Sequence, residues 1–432
     1  MKLSVRRLRA LEILDSRGNP TLSVQAGLSG GTTAEAQVPS GASTGRHEAV
    51  ELRDGDPQRY FGRGCRRAAA NVNEVLSPAL QGLDAEDQAA LDRRLIELDG
   101  TPDKSRLGAN ALLGVSCAVA RAAARARGRP LWEHLRGSRK AVLPVPMVNI
   151  LSGGLHAGRN IEFQDFLAIP HGLGSFSESL EAAVRIHRAA REVIEGRGLV
   201  LTGLADEGGW GPRLESNEAA LDILVEAIDE AGFRPGEQVS IAIDVASSHF
   251  FRDGAYHLRR EGRVLGAAEV MDVLERWCSR YPVLSLEDPL AEDEWESWRA
   301  VTQRLGARVQ IVGDDFFVTN PERVARGIRE SAANGVLVKM NQAGTLTETF
   351  QVIDMAREAG FFAVISARSG ETEDSFLADL AVASGAGQIK VGSVARSERL
   401  AKYNRLLEIE AETGLPYPGS SVWARLAGRT GG

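Results

Sequence analysis

Lysine is scarce in this chain. Only six of its 51 cationic side chains are lysines, at positions 2, 104, 140, 339, 390 and 402. An arginine keeps its proton at working pH, whereas a lysine beside metals and other cations can lose it, so a lysine retained in such a chain is a candidate for proton transfer. Cysteine is scarcer still: Cys65, Cys117 and Cys278 are scattered and odd in number. That excludes a disulfide framework and a thiolate metal site, and it fits a reducing cytoplasm. No apolar run approaches a membrane span, and residues 1–17 lack the apolar stretch of a signal peptide. Blocks of basic residues are also missing. With a net charge of −7 there is no face to release counterions from nucleic acid, and the basic run 121–129 reads as the solvated end of a helix.

What is present is a soluble-type composition, 43% hydrophobic and 25% charged over 432 residues. Six short apolar runs in the second half each end in a polar residue: Asp244, Glu287, Asp314, Lys339, Ser366 and Lys390. From Glu287 onward these ends recur every 24 to 27 residues, the length of one strand, one helix and two loops. Runs 147–151 and 163–169 bring the strands to eight. The pattern predicts a (β/α)8 barrel of parallel strands whose polar ends share one mouth. Three carboxylates there repel one another unless a cation such as Mg²⁺ lies between them or Lys339 and Lys390 neutralise them as a salt-bridge network.

A barrel of roughly 250 residues leaves room for a second domain. Residues 3–38 alternate like an antiparallel meander and run into 38–45, a Gly/Ser/Thr stretch that predicts a mobile surface loop. Helical spacing follows over 68–98 and 110–127. Turn signals from 128 to 143 place the boundary so that 1–137 is an α+β cap and 138–432 the barrel. Past a long helix over 176–197, the glycine-rich loop 204–212 carries an acid, Glu207, where backbone can approach a ligand.

Eight stretches in order resemble the enolase family over almost the whole chain. They are Asp15-Ser-Arg-Gly-Asn-Pro20, Pro39-Ser-Gly-Ala-Ser-Thr-Gly45, Asp206-Glu-Gly-Gly209, Ser285-Leu-Glu-Asp-Pro289, Gly313-Asp-Asp315, Lys339-Met-Asn-Gln342, Arg368-Ser-Gly-Glu-Thr-Glu-Asp374 and 396–404. The resemblance implies an α/β fold of enolase type, a cytoplasmic homodimer or higher homo-oligomer, and two Mg²⁺ ions, the second recruited with substrate. It implies a small phosphorylated or phosphonate carboxylic acid as substrate, with no nucleic-acid or membrane partner. By the same resemblance Asp244, Glu287 and Asp314 hold one metal and Ser43 reaches the second. Lys339 is the general base, Glu207 the acid that assists loss of hydroxyl, and Lys390 the partner of the substrate carboxylate. Arg368 and Ser369 take phosphate, and His156 and Gln164 occupy further active-site positions.

Two positions beside Ser366 and Gln164 depart from the family pattern. Ala367 stands where the family has His, and Asp165 where it has Glu. Leu155 and Trp210 also replace smaller or different side chains. One reading is an enolase that tolerates these changes. The other is a pocket rebuilt for an analogue, similar to the carboxyphosphonoenolpyruvate synthases of phosphonate pathways, for which 2-phosphoglycerate would be a poor substrate. An inactive paralogue would have no reason to keep Ser43, Glu207 and both lysines.

Overall fold

The computed structural model describes residues 3–41 and 45–426. Ser43 and its two neighbours in the loop expected to be mobile lie outside the described residues, so the expected second-metal ligand has no described position. β1 (Val5–Leu14), β2 (Pro20–Leu28) and β3 (Thr33–Gln37) form an antiparallel sheet in chain order, as the alternation predicts. The alanine-rich helix Ala109–Ala126 packs on β2 and β3. The fit is close because Gly114 faces the sheet, where a Cβ would come within 2.4 Å of Val24. The single helical stretch read over 68–98 is in fact two. Helical turns over 66–80 end before Gly82, at φ +85°, and the helix Gln88–Asp99 starts afresh with Asp87 accepting from the Ala90 N–H. Both pieces bury apolar side chains in one core, so the spacing alone runs through the break.

β4 (Val145–Ser152), β5 (Asp165–Ile169) and β6 (Ser240–Asp244) precede a small antiparallel sheet of β7 (Phe251–Arg252), β8 (Ala255–Leu258) and β9 (Arg263–Leu265). Then come β10 (Val283–Glu287), β11 (Gln310–Gly313), β12 (Gly335–Val338), β13 (Phe362–Ser366) and β14 (Gln388–Gly392). β4 to β6 and β10 to β14 close an eight-stranded barrel. One strand corrects the all-parallel expectation: β5 runs antiparallel to both β4 and β6. Parallel neighbours need a crossover, usually a helix, and residues 153–164 contain only the turn Gly154–Ala157. The chain therefore turns back, and the helices Phe176–Gly196 and Glu218–Glu230 both come after β5. As a result β5 begins at the mouth, with Asp165 in register beside Asp244.

Inside the barrel Val145, Met147, Leu167, Leu284, Val312 and Leu337 pack with Trp423, whose indole N–H donates to Gln310 Oε1 at 2.8 Å. The N-terminal sheet meets the barrel beside β13: Ser40 and Gly370 exchange backbone hydrogen bonds at 2.8 and 3.0 Å, and Asp15 Oδ2 accepts from Ser40 Oγ at 2.6 Å.

A second tie lies behind β12. Asp92, on the helix Gln88–Asp99, accepts from the Thr347 N–H at 2.9 Å and from its hydroxyl at 2.6 Å. Burial raises its carboxyl from 3.8 to about 6. A raised acid stabilises the fold while protonated, so stability falls as pH rises from about 4 to 7, by about 3 kcal/mol. Urea unfolding of the native chain and the Asp92→Asn variant should therefore diverge over that range. A pH-independent difference between them would contradict the assignment.

Candidate active site

The mouth holds a pocket lined by His156, Gln164, Glu207, Asp244, Asp314, Lys339, Ser366, Ala367, Arg368, Ser369 and Lys390, with Val391 and Gly392. Each strand-end residue arrives there because a buried strand stops beneath it. Glu287 and Asp165, expected in the same set, are buried but do not line the pocket.

Lysines lie between the acids. Lys390 Nζ donates to Asp244 Oδ2 at 2.8 Å and to Glu287 Oε2 at 2.7 Å, and Lys339 Nζ pairs with Asp314. Gln164 donates to Asp244 at 3.1 Å and Gln342 to Asp314 at 3.0 Å. Burial drives the Glu287 carboxyl well above the usual range, Asp244 adds to this, and Lys390 offsets only part. For Asp244 and Asp314 burial acts the same way but is outweighed, chiefly by Lys390 and Lys339 respectively, so both are lowered. Burial likewise opposes the charge of Lys339, yet Asp314 raises its pKa.

These residues fit a divalent cation. Two ammonium groups face three carboxylates, and Glu287 Oε1 is buried with no hydrogen-bond partner, an acceptor that needs a donor or a cation. An all-oxygen set suits a hard ion. Among the described residues, the groups of potential ligands whose atoms lie within 4.8 Å of one another are not this trio but Asp288, Asp314 and Asp315, and His156, Asp165 and Glu207. In the former group Asp288 already accepts from the backbone N–H of Asp314 and of Asp315, each at 2.8 Å.

Glu207 is carried in by a turn that only glycine suits. Gly208 has φ +90°, and a Cβ there would lie 2.8 Å from the Ala395 carbonyl. Burial pushes the Glu207 carboxyl up, but His156, Arg399, Lys390 and Lys339 outweigh it and hold it low. Asp165 sits behind His156. Its oxygens accept from Asn149 at 2.5 Å, Ser152 at 2.9 Å and His156 Nδ1 at 3.0 Å, so no oxygen is turned to the pocket and it positions the imidazole. Burial alone would lower His156, but Asp165 and Glu207 raise it to about 9. Asp165→Asn removes the larger of these attractions. The imidazole should then titrate well below about 9 in an NMR pH series, and persistence near 9 would overturn this account.

Several residues here were not singled out from the sequence. Glu48, four-residue neighbour of the undescribed loop, is buried and pairs with Arg368 at 3.0 Å, while Asn341 accepts from Arg368 at 3.1 Å. Arg399 donates to the carbonyls of Arg368 and Ser369, both at 2.6 Å, fixing the backbone that presents them. Asn341, Gln342 and Arg399 lie in stretches that resemble the family's, which was the available signal; Glu48 has no periodic or compositional mark. Of the departures, only Ala367 reaches the pocket. Trp210 turns away, donating to the His187 carbonyl at 2.8 Å and stacking on its ring at 4.8 Å, and Leu155 lines a different cavity.

Comparison with known proteins gives matches along nearly the entire chain. Residues 5–135 match the family described as "Enolase, N-terminal domain" and residues 140–424 match "Enolase, C-terminal TIM barrel domain". A curated protein of Acidothermus cellulolyticus named "Enolase" is 54% identical over 430 residues, 99% of each chain. Among the described residues no helix is long and apolar enough to cross a membrane.

Proposed function

This chain belongs to the enolase family and is a carbon–oxygen lyase, and on that premise we propose that it eliminates water from 2-phosphoglycerate to give phosphoenolpyruvate. The observation that carries this reading is the placement of base and acid. Lys339 follows β12, which lies opposite β5 in the barrel order, while Asp165 opens β5, His156 lies in the turn before it and Glu207 sits on a loop bridged to β4 through Trp210. A substrate between them would meet the amine on one side and the carboxyl on the other.

Removing a proton beside a carboxylate leaves a second negative charge on that carboxylate, so the site must hold a dianion. Lys390 supplies one fixed positive charge to it. Mg²⁺, as two ions with the second recruited with substrate, would supply the rest, held in the first case by Asp244, Glu287 and Asp314. Lys339 takes the α-proton, and Glu207 gives a proton to the departing hydroxyl. The pKa directions favour protonated Lys339 and ionised Glu207, the pair left when dehydration is complete. Arg368 and Ser369 take the phosphate, Arg368 with its charge partly met by Glu48. We assign 1–137 to a capping domain and 138–432 to the catalytic barrel, working in the cytoplasm as a homodimer or higher homo-oligomer. Appearance of enolpyruvate absorbance from 2-phosphoglycerate and Mg²⁺ tests the reading.

Ala367 on the pocket wall favours a second reading, in which the space of the absent imidazole admits an extra carboxylate-sized group on a phosphonate analogue. On that reading the native chain prefers the analogue, and Ala367→His shifts kcat/KM toward 2-phosphoglycerate by tenfold or more, an effect of about 1.4 kcal/mol. No turnover of the analogue by either protein would leave only the first reading.

A further inference from the structure

A second cavity, of about 330 Å³, lies between the 153–164 segment and the β7 to β9 sheet, and its lining shares no residue with the central pocket. Four arginines stand on it, Arg159, Arg252, Arg259 and Arg260, the last with its Nε already donating to the Leu214 carbonyl at 2.6 Å. Among the described residues the guanidinium groups of Arg159, Arg252 and Arg259 have no ion pair, in contrast to neighbouring Arg263, which pairs with Glu261 at 3.1 Å. The carboxylate on the lining does not neutralise them, since Glu162 accepts from the Arg260 N–H at 2.8 Å and from Asn217 at 3.1 Å. Apolar surface on the wall comes from Leu155, Ile161 and Phe250, the last two part of the buried core, and His257 stands beside them. His249 also lines the cavity, and its Nδ1 is buried without a hydrogen-bond partner.

We propose that this cavity binds a phosphorylated organic anion with a flat apolar body, the chemistry of a nucleoside diphosphate. The volume falls in the range of small-ligand sites, where apolar walls carry a few polar groups. Guanidinium groups match phosphate oxygens in pairs, and three of them call for a ligand with at least two negative charges. A base ring has Phe250, Ile161 and Leu155 to pack on, with His249 Nδ1 within the same wall to recognise a polar edge. Leu155 adjoins His156 in the chain, so an occupant touches the segment that delivers His156 and Gln164 to the lyase site.

Titration calorimetry of the full chain with ADP, pyrophosphate and adenosine, without divalent cations, tests this independently of turnover. ADP should bind one per chain at sub-millimolar concentration and weaken as salt is raised. Pyrophosphate and adenosine should each bind at least tenfold more weakly. The exposed double variant Arg252→Glu/Arg259→Glu, shown by an unchanged melting curve to be folded, should lose ADP binding at least tenfold. No heat from ADP, equal binding by the variant, or pyrophosphate binding as tightly as ADP would each overturn the proposal while leaving the lyase reading standing.

Discussion

Lys339→Ala is expected to lower turnover of 2-phosphoglycerate by ~10²–10⁴-fold or more and to abolish exchange of the substrate α-hydrogen with solvent. The ammonium lies on Asp314, so its replacement removes the proposed proton acceptor without removing any carboxylate proposed to hold metal. Metal affinity should be kept or improved, because Asp314 loses a competing cation. The two readouts separate the roles: exchange tracks the base, and metal-induced stabilisation tracks the carboxylates. Normal exchange in the variant would move the role elsewhere, with Lys390 the next candidate.

The second large effect is expected from Asp314→Asn. Asp314 is the one acid of the trio that both lines the pocket and binds Lys339. Neutralising it removes a proposed cation ligand and, in the same step, the main attraction that raises the Lys339 pKa. Turnover should fall by about 10²–10³-fold, and the rise in melting temperature on adding Mg²⁺ should shrink or vanish. Excess chelator should silence the unmodified protein in the same way. Activity undiminished by chelator would leave the salt-bridge network of Lys339 and Lys390 as the complete account of the acids.

The barrel was legible because its strands are buried on both faces and stop at polar residues, a pattern that needs no partner to be seen. The sense of β5 was not, since the short run 163–169 reads as a strand in either direction. Its reversal turned Asp165 from an expected substrate contact into the support of His156. Asp244, Asp314, Lys339 and Lys390 could be placed at one mouth from spacing alone, but which lysine faces which acid depends on neighbouring strands meeting in space. Glu48 lies some 320 residues before Arg368, and nothing local in either segment announces their pairing. Leu155 and Trp210 stood out by comparison with the family pattern, yet both side chains leave the pocket, because a loop residue's direction is set by backbone geometry that sequence does not display.

The central claim is that this barrel mouth dehydrates 2-phosphoglycerate. Its most direct test is the purified protein with 2-phosphoglycerate and Mg²⁺, followed by enolpyruvate absorbance. The account predicts kcat/KM in the ordinary enzyme range of about 10⁴–10⁸ M⁻¹s⁻¹. Absence of turnover with folded, Mg²⁺-supplied protein would contradict it.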